Sequence, residues 1–332
     1  MTGYIIRRLL WMVVVLWAII TITFALMHTV EGGPFSRERE LPPSVIAALN
    51  HKYGLDKPVI SVDVWNSQYG QYIWNLAQGD LGASFRSADQ SVSELIRQGF
   101  GVSLQLGVMA FVFAVIIGLT FGVVSALNHN GLFDYVGVFF ATAGASMPNF
   151  ILAGILIPIF AVELGWFDVL GWGGPTFDIF DPSTWSDNIK PGAWDFRKVV
   201  LPVVALGVLP AAYFARVTRA SMLEVLGQDY IRTARSKGLS EWVVILRHSI
   251  KNAMVPILTV MGPYLAFLVT GSFLVETVFS IPGVGRRFVD AVLVRDYGMI
   301  MGTVIFYTVF IAVANLLVDL MYAVVDPRIR YA

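Results

Sequence analysis

Covalent chemistry needs a nucleophile, a base or a set of metal ligands in one place, and this 332-residue chain supplies few of them. Cysteine is absent, which removes thiolate catalysis, disulfides and Cys-based metal sites. The four histidines, His28, His51, His129 and His248, are scattered, and no His-Glu-x-x-His or Gly-x-Ser-x-Gly pattern occurs. The dipeptide Gly-Lys never occurs, so there is no phosphate-cradling nucleotide loop. Gly171-Trp172-Gly173-Gly174-Pro175 lacks the strand-then-helix context that phosphate binding requires and reads as an irregular loop. Of the ionisable groups in apolar surroundings, Asn315 and Asp319 share a helix face at i, i+4 and are expected to form a buried structural pair rather than a proton relay. Glu163 and Glu276 fall near the ends of apolar runs and are expected to be solvated.

The informative segment runs from Gln228 to Pro256. Its five basic residues between Arg232 and Lys251, at roughly 3 kcal/mol each, would cost about 15 kcal/mol at the centre of a bilayer, so the segment belongs outside one. Tyr230, Ile231, Ala234 and Lys237 are spaced for one helical face, and Gly238 suits the left-handed position after a last turn. Ser240 can then cap a second helix, with Leu239 stapled onto Val244. Helix, glycine turn, helix makes a stiff projection able to take a push from a soluble motor. By itself the pattern also fits an ordinary amphipathic loop.

The elements that must carry this projection are membrane helices. The chain is 56% hydrophobic and 14% charged, outside the balance of soluble proteins. Six runs are long enough to span, near residues 9–29, 101–127, 134–162, 199–220, 253–275 and 298–325. The first follows Arg7 and Arg8 but is too long for a cleaved leader. Seven Lys or Arg lie between Arg216 and Lys251, and the chain ends Asp326-Pro327-Arg328-Ile329-Arg330. The positive-inside tendency therefore puts both termini and the 216–251 segment in the cytoplasm. The segment Glu31–Arg97, with six basic and eight acidic residues, is placed outside. The division is residues 1–30, N-terminus and first helix; 31–98, an extracytoplasmic segment; and 99–332, a five-helix core containing the loop 221–251. With zero net charge and its basic residues in one loop, the chain is not built for nucleic acid.

In the outer segment, Pro43 with Val45, Ile46, Ala48, Leu49, Tyr53 and then Gly54 predicts a short amphipathic helix, either a packing element or a docking surface. Gly79-Asp80-Leu81-Gly82-Ala83-Ser84 predicts turns. Trp166, Trp172, Trp185 and Trp194 are expected at headgroup level. Pro148, Pro158, Pro202, Pro210, Pro256 and Pro263 predict kinks, serving a bundle that rearranges or merely tolerated by neighbours. Gly118 with Gly122, and Gly298 with Gly302, match the spacing that lets helix backbones approach closely.

From Ala215-Arg216-Val217-Thr218-Arg219 through Asp229-Tyr230-Ile231-Arg232-Thr233-Ala234-Arg235-Ser236-Lys237-Gly238-Leu239 to Arg247-His248, Asn252-Ala253 and Pro256, the chain resembles permeases of the peptide and nickel class of ABC importers. The resemblance is to the B-type subunit of oligopeptide permeases. It extends over nearly the whole chain: Tyr4 with Arg7-Arg8, residues 79–84, Ser146-Met147-Pro148-Asn149-Phe150, Glu276-Thr277-Val278-Phe279, Pro282-Gly283-Val284-Gly285, Arg295-Asp296-Tyr297 and the ending. Gly33-Pro34-Phe35 and Arg37-Glu38-Arg39-Glu40-Leu41-Pro42-Pro43 look like the oligopeptide branch, whereas Glu31-Gly32-Gly33 replaces that family's usual Pro-Gly-Asp or Pro-Gly-Ser. Ala234 and Gly238 match the general importer coupling signature, while Arg232 and Thr233 replace its Glu and first Ala, as in the peptide-permease version.

The resemblance implies an all-α polytopic bundle with the type I ABC importer permease fold in a bacterial inner membrane. It implies a second homologous permease, two cytoplasmic ATPases and an extracytoplasmic peptide-binding protein. ATP and Mg would then sit on the ATPases, with no cofactor and no catalytic residue on this chain. Tyr230, Arg232, Thr233, Ala234, Lys237, Gly238 and Leu239 become the coupling residues. Other readings of the residues are a secondary transporter or channel independent of ATPases, or an ABC permease for dipeptides, nickel chelates or other solutes.

Overall fold

Where apolar residues run for twenty positions or more, every backbone amide must find its partner inside the segment, and the chain answers with helices. The computed structural model describes residues 2–29, 34–35, 42–61, 64–87, 90–190, 192–270 and 273–325. The expectations for residues 30–33, 36–41 and 326–332 lie outside these. In chain order the helices are α1 (Thr2–Thr29), α2 (Pro43–Lys52), α3 (Gln68–Ala77), α4 (Val92–Leu127), α5 (Leu132–Ser146), α6 (Asn149–Leu156), α7 (Phe196–Leu226), α8 (Asp229–Ser236), α9 (Glu241–Val243), α10 (Lys251–Val269), α11 (Phe273–Val278), α12 (Val284–Val294) and α13 (Tyr297–Val325). Wider π-helical turns at Ile157–Glu163 and Val244–Ile250 extend α6 and join α9 to α10. Side chains of Ser67, Ser91 and Asp195 accept amide protons in the first turns of α3, α4 and α7 and fix where those helices start.

Five stretches among the described residues are long and apolar enough to span a membrane, and the pair Leu132–Ser146 and Asn149–Glu163 makes six if counted as one. The expected span over 134–162 is not one continuous helix: the kink expected at Pro148 is a full break, and the two halves meet at 108°. Met147 is extended (φ −106°, ψ 119°), the conformation a residue before proline prefers, and Pro148 then starts α6. Pro202 and Pro210, by contrast, sit inside α7 without ending it.

Helix α7 is the axis of the bundle: 67% of its spanning window is buried, against 11% for α1. Apolar transfer contributes little between helices that would otherwise face lipid, so close approach of backbones matters more. A Cβ on Gly118 would come within 2.6 Å of Phe214 Cβ and 2.8 Å of the Ala211 carbonyl, and one on Gly122 within 2.7 Å of the Ala215 carbonyl. These two glycines therefore seat α4 on α7 as expected. Gly298 and Gly302 serve other contacts: Gly298 faces the Ala83 carbonyl in a loop and Gly302 faces Val92 at the start of α4.

At one end of the bundle, the loop end, α3 packs on α1 through Ile20, Phe24, Tyr69, Tyr72, Ile73 and Leu76. Helix α2 forms where expected but buries no residue. The turns at Gly79 (φ 82°) and Gly82 (φ 85°) lead to Ser84, whose hydroxyl donates to Asp296 Oδ2 at 2.5 Å. Trp166 and Trp185 are exposed, but Trp172 and Trp194 pack against the core, and Trp172 Nε1 donates to Gln105 Oε1 at 2.9 Å. Tertiary packing thus takes two of the four tryptophans away from the expected interfacial belt.

Candidate functional site: a glycine elbow at the opposite end

Helix α7 runs past the expected end of its span to Leu226, and only Gly227 and Gln228 separate it from α8. The inner face of α8 carries Ile231 and Ala234, both buried with Val244 from the following helix and with Val225 packed alongside. That apolar seam holds the elbow shut. At its apex, the Lys237 amide donates to Thr233 O at 3.1 Å and the Gly238 amide to Arg235 O at 3.0 Å. Gly238 itself has φ 76°. This is the predicted left-handed cap, and a Cβ there would meet nothing within 4 Å. The demand for glycine is therefore one of backbone conformation alone.

Two expected details are replaced. Ser240 occupies the N-cap of α9, but its side chain makes no capping bond. Leu239 is exposed and leaves Val244 to the seam with Ile231 and Ala234, so no staple forms. A bidentate ion pair ties the arms instead: Arg235 Nη2 donates to Glu241 Oε1 at 2.6 Å and Nε to Oε2 at 3.2 Å. Hydrogen bonding to Glu241 holds the Arg235 guanidinium above its already high pKa.

Of the seven expected residues, only Ala234 points into the seam, and Gly238 forms the apex. Tyr230, Arg232, Thr233, Lys237 and Leu239 face outward. The Arg232 side chain is 75% exposed and lies 3.6 Å from Asp229. Sequence reasoning missed Trp242, which is 73% exposed, and Leu246 one turn on. Their i, i+4 spacing was the available signal. The result is a knuckle of cationic and apolar side chains standing off the bundle, with apolar area unusual for a surface meant only for water.

The ionisable groups in the bundle differ from expectation. Asp319 pairs with Arg8 of α1, tying the first and last helices at the elbow end. Glu276 is fully buried, not solvated. The chain doubles back at Pro282-Gly283 and brings the first turn of α12 onto Glu276, whose Oε2 accepts from the Arg286 amide at 3.1 Å. Ser103 of α4 joins there by accepting from the Val284 amide at 3.0 Å. There a carboxyl oxygen caps one of the free amides in the first turn of α12. Glu163 is exposed, as expected. Among the described residues, no three His, Asp or Glu side chains gather as a metal site.

The family described as binding-protein-dependent transport system inner membrane component matches residues 118–331, a stretch that includes the whole elbow. The chain belongs to that family. As such a membrane component it has full-length relatives. The oligopeptide transport system permease protein OppB of Haemophilus influenzae is 40% identical over 331 residues, 100% of both chains. The dipeptide transport system permease protein DppB of Bacillus subtilis is 42% identical over 330 residues, 99% of this chain and 98% of its own. Among solved structures, a chain from inward-facing conformations of the MetNI methionine ABC transporter matches with a TM-score of 0.54 at 18% identity, covering 70% of this chain and 96% of that one. A chain of an amino acid ABC transporter matches with a TM-score of 0.50 at 18% identity, covering 69% and 93%. The all-helical fold is thus that of type I ABC importer membrane subunits.

Proposed function

We propose that this membrane component is the B-type permease of an ATP-driven importer of oligopeptides. It forms the solute path with a second, homologous permease and receives peptide from an extracytoplasmic binding protein. Two cytoplasmic ATPases hold ATP and Mg. Both termini and the elbow face the cytoplasm, where the seven basic residues between Arg216 and Lys251 are concentrated.

The observation that carries this reading is the elbow itself, a short helix hinged at Gly238 that offers Tyr230, Arg232, Lys237, Leu239 and Trp242 to a partner. ATP closes the ATPase dimer and displaces the elbow. The bundle then opens outward to take solute from the binding protein, and hydrolysis resets it. Arg232 and Thr233 meet the ATPase surface, Ala234 lets α8 lie close on its own support, and Gly238 sets the angle between the arms.

A second solute has a specific observation behind it, because the dipeptide permease relative is as similar as the oligopeptide one. The test is ATP-dependent uptake of a labelled pentapeptide into proteoliposomes holding the whole complex, challenged with unlabelled dipeptide. Competition by pentapeptide alone supports the oligopeptide reading. Displacement by dipeptide at equal concentration moves the solute to the shorter class. Uptake without ATP or ATPases overturns the importer assignment.

A further inference from the structure

Asp134 is a nearly buried carboxylate that neither the elbow nor a solute path accounts for; 3% of the residue is exposed. Four donors converge on it. Arg219 of α7 donates from Nε to Oδ1 at 2.6 Å and from Nη2 to Oδ2 at 2.7 Å. Ser125 Oγ at the end of α4 donates to Oδ1 at 2.5 Å, and the Asn130 amide of the α4–α5 turn to Oδ2 at 2.9 Å. Asn130 is held there in the left-handed region, at φ 61°. One carboxylate thus binds α4, the turn, its own α5 and α7, in the bidentate geometry that only arginine offers.

Its placement gives the knot a mechanical meaning. Arg219 lies two turns above the end of α7, and α7 leads directly into α8. The rest of the α5–α7 contact is shallow: Ala141 and Ala145 of α5 meet Ala212 and Ala215, and Gly144 faces Val208 and Ala212. Small side chains make few dispersion contacts and interlock little, so such a surface permits sliding. At its far end α5 is cut from α6 by the break at Met147-Pro148. Helix α5 is therefore a rod set off from α6 by a break at one end and tied to α7 near the other by one charged knot.

We propose that the Asp134–Arg219 pair is the positioning device that makes α5 follow the elbow, so that displacement of α8 reaches the solute path through α5. This rests on the reading that ATPases drive the elbow. In this proposal Asp134 and Arg219 act through the helices they join rather than by contact with solute or ATPase.

The chain has no cysteine, so within it pairs of labels can be placed without first removing native thiols. Spin labels go on Ser236→Cys in α8, Tyr135→Cys in α5 and Trp11→Cys in α1, all exposed positions. Distances are taken in pairs in the assembled complex, nucleotide-free and with ATP plus vanadate. The wild-type background should show the α8–α1 and α5–α1 distances changing together while α5–α8 stays fixed. In Asp134→Asn, which keeps the side-chain size, α8–α1 should still change while α5–α1 does not. Uptake per ATP hydrolysed should fall roughly tenfold, within the ordinary range for coupling between sites. Arg219→Lys, which keeps the charge but loses the fork, should fall between the two. A purely structural pair would lower the yield of assembled complex and leave uptake per ATP and the paired distance changes intact, which would overturn the proposal. If the wild-type complex transports no peptide, the functional reading fails. If it transports and Asp134→Asn does so equally well per ATP, only the clamp fails.

Discussion

Gly238 and Gly283 both sit at sharp turns between helices, at opposite ends of the molecule, and they are glycine for opposite reasons. Gly238 stands in open space with φ 76°, so only its backbone conformation excludes other residues. Gly283 has φ −89°, which any residue adopts, yet a Cβ there would come within 2.5 Å of Ser103 Oγ and 2.6 Å of Glu276 Cδ. The first turn is constrained from within and left bare outside. The second is unconstrained within and packed on all sides. A surface that must meet a moving partner keeps its neighbours away, while a joint that must hold α4, α11 and α12 in register fills its space.

The comparison can be broken by substitutions chosen to exchange the two constraints. The largest effect on stability is expected from Gly283→Val, which forces three heavy atoms into the space of Ser103 and Glu276. Overpacking of this kind costs about 1–3 kcal/mol, seen as a lower melting temperature in detergent and less assembled complex. A normal melting temperature would show the loop-end joint to be softer than its packing indicates. Next comes Gly238→Pro, whose ring fixes φ near −65° and removes the amide that donates to Arg235. Peptide uptake should be lost while the complex still assembles, and the charge reversal Arg232→Glu should give the same loss with the melting temperature unchanged. Wild-type uptake in both variants would remove the elbow from the transport cycle.

A smaller effect separates Gly238→Ala from Gly238→Asn. Alanine in the left-handed region is strained by about 1–2 kcal/mol, whereas asparagine visits that region more readily. Uptake is therefore expected to rank glycine, asparagine, alanine, and the reverse order of the last two would mean that side-chain bulk rather than φ sets the limit. The least effect is expected from Glu241→Gln, which removes the charge of an exposed pair. Its melting temperature should match the parent, with only a weaker dependence of uptake on salt.

What could be read from the sequence follows the distance over which each feature is decided. The elbow was legible because its rules are local: apolar Ile231 and Ala234 three apart, then a glycine where the chain must reverse. The break in the third span was half legible, since Pro148 announced a kink but its direction depends on what α5 and α6 each pack against. Helix α3 went unread although Ser67 was an available cap, because Tyr69, Tyr72 and Ile73 are interleaved with Gln and Asn in a short stretch. Glu276 was misplaced, and the ion pair of Asp319 missed, for one reason. Their partners, Arg8 and the amides at the start of α12, are supplied by the tertiary fold and leave no trace in the residues beside them.

The π-helical turn at Val244–Ile250 separates the elbow from α10 by more than length. A π turn holds one residue more than an α turn, and one residue in a helix is worth about 100° of rotation but only about 1.5 Å of rise. The turn is therefore an azimuth setting: it decides which way Pro256 and Pro263 of α10 face once the elbow is seated. Deleting a single residue within it would leave α10 almost the same height in the bundle and turn it to present a different stripe.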